Sequence, residues 1–184
     1  MLTSNIKFIN FIQKQKKKPI YNFKQLKKEN WIKKYKLLLS LTPNYKYSYT
    51  KAQIKNLKKQ NFFRLIGMGG STLGAKAIYK FLQDKTKKKF VFIDNLKPKL
   101  SKYEKSNEAV NIIISKSGNT LETIINTSIL INQNQKSKNI FITENNNNYL
   151  RTLAHKLKAE IIDHNNYIGG RYSVLSEVGM LPAE

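Results

Sequence analysis

Val110-Asn-Ile-Ile-Ile-Ser115-Lys-Ser-Gly118-Asn-Thr-Leu-Glu-Thr123 decides the fold. Apart from Asn111, its first five residues are apolar and β-branched, the length of a buried strand and too short for a helix alone. Ser115 to Thr120 is small, hydroxylated and flexible, and from Leu121 to Leu130 apolar residues return at helical spacing. The chain therefore leaves a strand, turns tightly and enters a helix. Such a turn collects backbone N–H groups and the positive end of a helix dipole at one spot. Hydroxyls of Ser115, Ser117 and Thr120, with the Lys116 ammonium beside them, surround that spot. A phosphate-sized oxyanion needs such a cradle, because it carries charge and accepts several hydrogen bonds. The same residue types are also ordinary helix caps, so this stretch alone leaves both readings open.

Working outward, the texture is α/β from Asn61 on. Strands are expected at Phe62–Gly67, Phe90–Asp94, Val110–Ile114, Asn139–Thr143 and Glu160–Asp163. Helices are expected at Thr72–Leu82, Leu121 to about Gln133 and Tyr149–Leu157, with Asn95–Tyr103 irregular and Glu144–Asn148 a polar loop. Strands alternating with helices imply a doubly wound, five-stranded parallel sheet flanked by helices. Ligands of such sheets sit at the carboxyl ends of the strands, where successive connections diverge to opposite faces.

Residues 1–55 read as an N-terminal helical arm and 56–184 as the main domain. A short amphipathic helix is expected over Asn5–Lys18, ended by Pro19, and a second over Phe23–Leu41. Tyr45, Tyr47 and Tyr49 then alternate with polar residues. Aromatic rings among lysines suit either single-stranded nucleic acid or a packed linker.

The 184 residues can bury a core, since 40% are hydrophobic. With no cysteine, disulfide frameworks and thiolate metal sites are excluded. No run resembles a secretory signal or is apolar enough to cross a bilayer, so a soluble, cytoplasmic protein with no membrane partner is the default. The formal charge of +23 invites a nucleic-acid reading. Yet only Arg64, Arg151 and Arg171 among the 34 basic residues are arginine, the usual reader of bases and phosphates. The lysines are spread among many Asn and Ile, the pattern an A/T-rich genome produces, and no base-reading motif accompanies them. No specific nucleic-acid partner is expected, although the field should draw anionic metabolites.

Two more loops bear on function. Gly67-Met68-Gly69-Gly70-Ser71 follows the first strand, and with Gly74 and Asp94 it only imperfectly imitates a dinucleotide fingerprint. Ile168-Gly169-Gly170-Arg171-Tyr172-Ser173 lets backbone approach a ligand and puts an arginine where developing negative charge would be met.

Taken together and in this order, the three loops resemble the glucose-6-phosphate isomerase family. Gly67 to Gly74 is similar to its G-I-G-G-S-x-L-G loop, and Ser115 to Thr123 to its S-K-T-x-x-T-L-E-T loop. Ser117-Gly118-Asn119 is nearer the wider sugar-isomerase (SIS) phosphosugar signature. Asn166 to Ser173, continuing through Val178-Gly179, is similar to the G-G-R-[FY]-S signature, with Glu177 standing where a small residue is usual. The resemblance implies an SIS-type fold and interconversion of glucose 6-phosphate and fructose 6-phosphate, by ring opening and enediol proton transfer, in glycolysis and gluconeogenesis. It implies that Ser115, Lys116, Ser117, Gly118, Asn119 and Thr120 hold the phosphate. Gly70 and Ser71 would contact the sugar, and Arg171 would stabilise the cis-enediolate, with no metal or nucleotide cofactor. The family's glutamate base, ring-opening histidine and late lysine lie downstream of the third signature. The chain is therefore expected to be the N-terminal portion of such an enzyme, with a second SIS domain and C-terminal region absent, and to be inactive alone. The full-length protein is expected to be a homodimer. Glu122, His155 and His164 are read as structural.

A stand-alone phosphosugar sensor would share the hydroxyl-rich loop, but it would not require Arg171. A nucleic-acid binder would show steep salt dependence toward arbitrary DNA.

Overall fold

The computed structural model of the chain describes residues 34–184 apart from 98, 103 and 134–136. Five strands, β1 (Phe62–Ile66), β2 (Lys89–Ile93), β3 (Val110–Ile114), β4 (Asn139–Glu144) and β5 (Glu160–His164), form one all-parallel sheet in the order β2-β1-β3-β4-β5. The helices are α1 (Lys51–Lys58), α2 (Gly70–Leu82), α3 (Leu121–Gln133), α4 (Tyr149–Lys156) and α5 (Glu177–Ala183). The doubly wound sheet expected from the sequence is thus present, each strand within a residue or two of its expected bounds. α2 starts at Gly70, two residues earlier than the apolar spacing suggested, because the glycines themselves make its first turn.

The expected helix over 5–18 and residues 23–33 of the second lie outside the described residues. The end of the second, Lys36–Leu41, is a 3-10 turn. α1, which the sequence reading did not anticipate, crosses position 55/56 and begins in a capping box: Thr50 accepts from the Gln53 N–H while Gln53 accepts from the Thr50 N–H.

Side chains alternate along each strand, so the sheet has two cores. On one face Phe63, Leu65, Ile112, Ile114, Ile140 and Ile142 pack with Leu57 of α1, Ala75 of α2 and Val178 and Leu181 of α5. On the other, Ile66, Ile93, Ile113 and Phe141 pack with Leu130 of α3 and Leu150 and Ala154 of α4. The connection leaving β1 therefore runs on one face and that leaving β3 on the other. In sheets of this kind such a divergence marks the ligand-binding position, here at the carboxyl ends of these neighbouring strands.

One polar ladder crosses the second core. Arg64, fully buried in β1, donates from Nη1 to Asn111 Oδ1 of β3 at 2.6 Å and from Nη2 to the Ser106 carbonyl at 2.7 Å. Asn111 donates onward to Asn139 Oδ1 of β4 at 2.7 Å. Register fixes these partners, for Arg64 pairs with Asn111 and Asn111 with Asn139. Burial pulls the guanidinium below its usual range, and Glu104 opposes this.

Asn111→Leu should strip the buried guanidinium of an acceptor and cost about 2–4 kcal/mol, read from urea unfolding. Adding Arg64→Met should recover part of that loss, and a double variant no more stable than the single would contradict the ladder's role.

Candidate functional site

The loop after β3 is closed on itself. Ser115, 2% exposed, shares a hydroxyl–hydroxyl bond of 2.9 Å with Thr120, and its Oγ also accepts the Gly118 N–H at 3.2 Å. Gly118 has φ +68°, and a Cβ there would overlap the Asn148 carboxamide, so both turn geometry and packing require glycine. Asn148 in turn caps α4 through the Arg151 N–H at 2.9 Å. The Asn119 side chain accepts from the Tyr149 N–H at 3.0 Å, and Ser117 Oγ accepts from the Asn119 N–H at 3.3 Å. The exposed residues of the loop are thus braced against the start of α4. The first-turn amides of α3 open onto the same side, since a helix start leaves such donors without intrahelical partners.

Three loops meet here. A Cβ on Gly67, at the end of β1, would stand 2.8 Å from the Ile114 carbonyl at the end of β3. A Cβ on Gly70 would overlap the Gly170 carbonyl, and Ser173 Oγ donates to Gly170 O at 2.7 Å and lies 3.3 Å from Gly70 O. Lys116 Nζ spans from the cradle to the Asn166 carbonyl at 2.8 Å and to Glu144 at 3.3 Å. The sequence-selected residues Gly70, Ser71, Ser115, Lys116, Ser117, Gly118, Asn119, Thr120 and Arg171 therefore lie on adjoining loops. Arg171 is exposed, and its side chain has no hydrogen bond or ion pair to a described residue. A crevice with hydroxyls and helix-start amides at one end and a free guanidinium on the third loop can hold an anion and meet a second negative charge.

Asp94, which imitated a ribose-binding acid in the sequence, is paired with Lys76 at 2.8 Å. Glu122 lies in the first turn of α3. Among the described residues no group of His, Cys, Asp and Glu is arranged to hold a metal, and no helix is long and apolar enough to cross a membrane.

Three residues acquire meaning only in three dimensions. Glu177, fully buried, accepts from the Tyr45 hydroxyl at 2.9 and 3.0 Å and from the Ser48 N–H at 3.1 Å. Tyr45 also accepts from Asn165 Nδ2 at 2.8 Å. Burial, with Glu177 nearby, pushes the Tyr45 phenol well above its usual range, so it stays a donor. His164, at the end of β5, is 3% exposed; its Nδ1 lies 2.9 Å from the Asn165 carbonyl and its Nε2 has no partner among the described residues. Burial holds its pKa below the usual histidine value, Lys116 acts in the same direction, and Glu177 and Glu144 oppose both. The departure at Glu177 was visible in the sequence, but nothing there pointed to its partners over 120 residues away.

A family model described as phosphoglucose isomerase matches residues 42–184. A glucose-6-phosphate isomerase of Methanocaldococcus jannaschii is 38% identical over 127 residues, covering 64% of this chain and 31% of that protein. The chain spans about a third of the length of the curated relatives it matches. A hypothetical protein of Thermus thermophilus superposes with a TM-score of 0.60 at 24% identity, over 72% of this chain and 34% of that one. The tagatose-6-phosphate ketose/aldose isomerase of Escherichia coli gives 0.50 at 14% identity, over 74% and 43%. The solved structures speak for the fold alone, the SIS-type parallel sheet expected from the sequence.

The buried His164 makes stability pH-dependent. The unfolded chain takes up a proton near the ordinary histidine pKa of about 6.5, and the folded ring resists it until lower pH. Stability contributed by the neutral ring is full above that value and falls as the solution is acidified through it. Urea midpoints at about pH 7.5 and 5.5 should therefore differ less in His164→Gln than in the unmodified chain.

Proposed function

We propose, from the premise that this chain belongs to the phosphoglucose isomerase family, that it forms the phosphosugar-binding part of a glucose-6-phosphate isomerase acting in the cytoplasm. The observation that carries the reading is the meeting of three loops, one rich in hydroxyls and two in glycine, at the divergence between β1 and β3. Glucose 6-phosphate and fructose 6-phosphate share a dianionic tail and differ at C1 and C2. The tail is assigned to Ser115, Ser117, Thr120 and the amides of the first turn of α3, with Lys116 adding charge from the side. Gly118 and Asn119 set the course of that loop. Gly70 and Ser71, on the loop that packs against Gly170, are assigned to the sugar body.

Aldose–ketose interconversion opens the ring, then moves a proton between C1 and C2 and leaves an enediolate in between. Arg171 is the group assigned to that negative charge, because a cation not engaged by a described carboxylate is available to stabilise charge as it develops. The proton itself requires a carboxylate base. Glu144 pairs with Lys116, Glu177 is buried beneath Tyr45 and Ser48, and Glu122 lies in the first turn of α3 at the phosphate end, away from C1 and C2 of a substrate bound by its tail. The base is assigned, as the resemblance implies, to residues C-terminal to the third signature, and the working enzyme to a homodimer.

Ser115→Ala combined with Thr120→Val keeps the loop's volume and removes two hydroxyls. Calorimetric affinity for 6-phosphogluconate, a non-reacting sugar phosphate, should fall about a hundredfold or more; unchanged affinity would remove the cradle. Residues 1–184 purified alone should bind the compound without isomerising fructose 6-phosphate in a coupled assay, and normal turnover would contradict the assignment of the base.

A further inference from the structure

The segment that carries Arg171 is gripped at both ends by one hydroxyl. Asn165, where the chain leaves β5, donates from Nδ2 to the Tyr45 oxygen at 2.8 Å. The Tyr45 hydroxyl spends its single hydrogen on Glu177, at the start of α5, lying 3.0 and 2.9 Å from the two carboxylate oxygens. One oxygen atom thus joins residues 165 and 177 from outside the segment. Its own position is fixed by an aromatic row, with Tyr45 edge-on to Tyr47 and Tyr47 stacked on the buried Tyr49 at 4.9 Å. Glu177 is pinned further by the Ser48 N–H at 3.1 Å and Ser48 Oγ at 3.3 Å.

The arrangement is costly if it serves stability alone. Glu177 is fully buried, and no described lysine or arginine pairs with it. A desolvated carboxylate held only by neutral donors is a poor source of stability compared with apolar packing. What it gives is direction, because hydrogen bonds fix where Asn165 and Glu177 stand relative to each other. Between them the segment touches the rest of the site through Lys116 on the Asn166 carbonyl, Gly70 against Gly170, Ser173 Oγ on the Gly70 carbonyl and Val174 against Gly74. Arg171 follows directly after.

We propose that Tyr45, held by Glu177 and Asn165, is a positioning residue for Arg171: its hydroxyl closes the 165–177 segment at both ends and so sets where the guanidinium stands over the crevice. The inference rests on the reading of Arg171 as the group that meets the enediolate. Tyr45 does not touch the sugar phosphate and acts only through the loop.

The test is Tyr45→Phe in the full chain, with two ligands titrated by calorimetry. Inorganic phosphate probes the cradle. A five-carbon aldonohydroxamate phosphate, whose hydroxamate carries charge where the enediolate would, probes Arg171. The variant should lose about tenfold in hydroxamate affinity and stay within about twofold for inorganic phosphate. Amide hydrogen exchange of residues 166–173 should quicken about tenfold while β3 and β4 keep their rates. Glu177→Gln, which retains an acceptor and the volume, should stay within about threefold of the unmodified chain on both readouts. Unchanged loop exchange with unchanged hydroxamate affinity overturns the proposal, and so does an equal loss for both ligands, which would mark general disorder. If Arg171→Ala leaves hydroxamate affinity intact while Tyr45→Phe still loosens the loop, the reading of Arg171 fails and the positioning role falls with it, although closure of the segment stands. Should Tyr45→Phe not fold, Asn165→Leu opens the same bridge from its other side and is read by the same measurements.

Discussion

Everything at the candidate site depends on how closely three backbones approach one another above β1 and β3. The end of β1 leaves no room for a side chain beside the Ile114 carbonyl, and the start of α2 leaves none beside the Gly170 carbonyl. These contacts are short because the residues are glycine, and each makes a different loop part of one wall. The sheet supplies the reason they can meet. Its order places β1 beside β3, and the connections that leave them go to opposite faces. Two helix starts then face one crevice, and both dipoles favour an anion there.

Packing on both faces of the sheet also shuts charged groups away from water. Two solutions appear in the same molecule. Arg64 lies in the interior of the sheet and is met by a carboxamide and a carbonyl along the strand register. Glu177 lies under the third loop and is met by a phenol, a serine hydroxyl and a backbone amide. Neither forms an ion pair with a described residue, so each relies on fixed neutral dipoles whose value lies in geometry. Shifting any partner by an ångström would leave a charge uncompensated, and for that reason both clusters resist rearrangement of the elements they join.

The sheet was legible in the sequence because its signals are local. Five short runs rich in Ile, Val and Phe, separated by helical spacing, leave little choice of architecture, and the hydroxyl and glycine loops mark where strands end. The cradle was legible for the same reason, since Ser115 and Thr120 are five residues apart and one loop holds both. Resemblance linked the third loop to the other two, whereas the contacts that seat it, Gly70 on Gly170 and Lys116 on Asn166, required coordinates. Three features could not be read. The role of Asn119 as a brace for α4 depends on a helix start 30 residues later in the chain. The partners of Glu177 lie in a tyrosine-rich stretch that read as a packed linker in preference to a nucleic-acid surface, with nothing in it to name Glu177 as what it packs on. α1 escaped notice because its signal is a capping box, which has no apolar stripe to announce it, and its single buried residue is Leu57.

The tyrosines also bear on the chain's charge of +23. If rings among lysines formed a surface for nucleic acid, they would stand free for bases to stack on. Tyr49 is instead buried, Tyr47 stacks upon it, and the Tyr45 hydroxyl is spent on Glu177 and Asn165. The lysines are left as a diffuse field, which attracts any anion and is screened by salt. Selection among anions must then come from groups whose geometry salt does not change. At the cradle those groups are the Ser115 and Thr120 hydroxyls and the helix-start amides, because the one lysine there already bridges Glu144 and Asn166. On the proposed reading, an incoming phosphate would meet these neutral donors, with Lys116 close enough to contribute field yet tied into the wall. On that reading the charge of the chain would govern how often an anion arrives, and the hydroxyls and helix-start amides of the loop after β3 which anion stays.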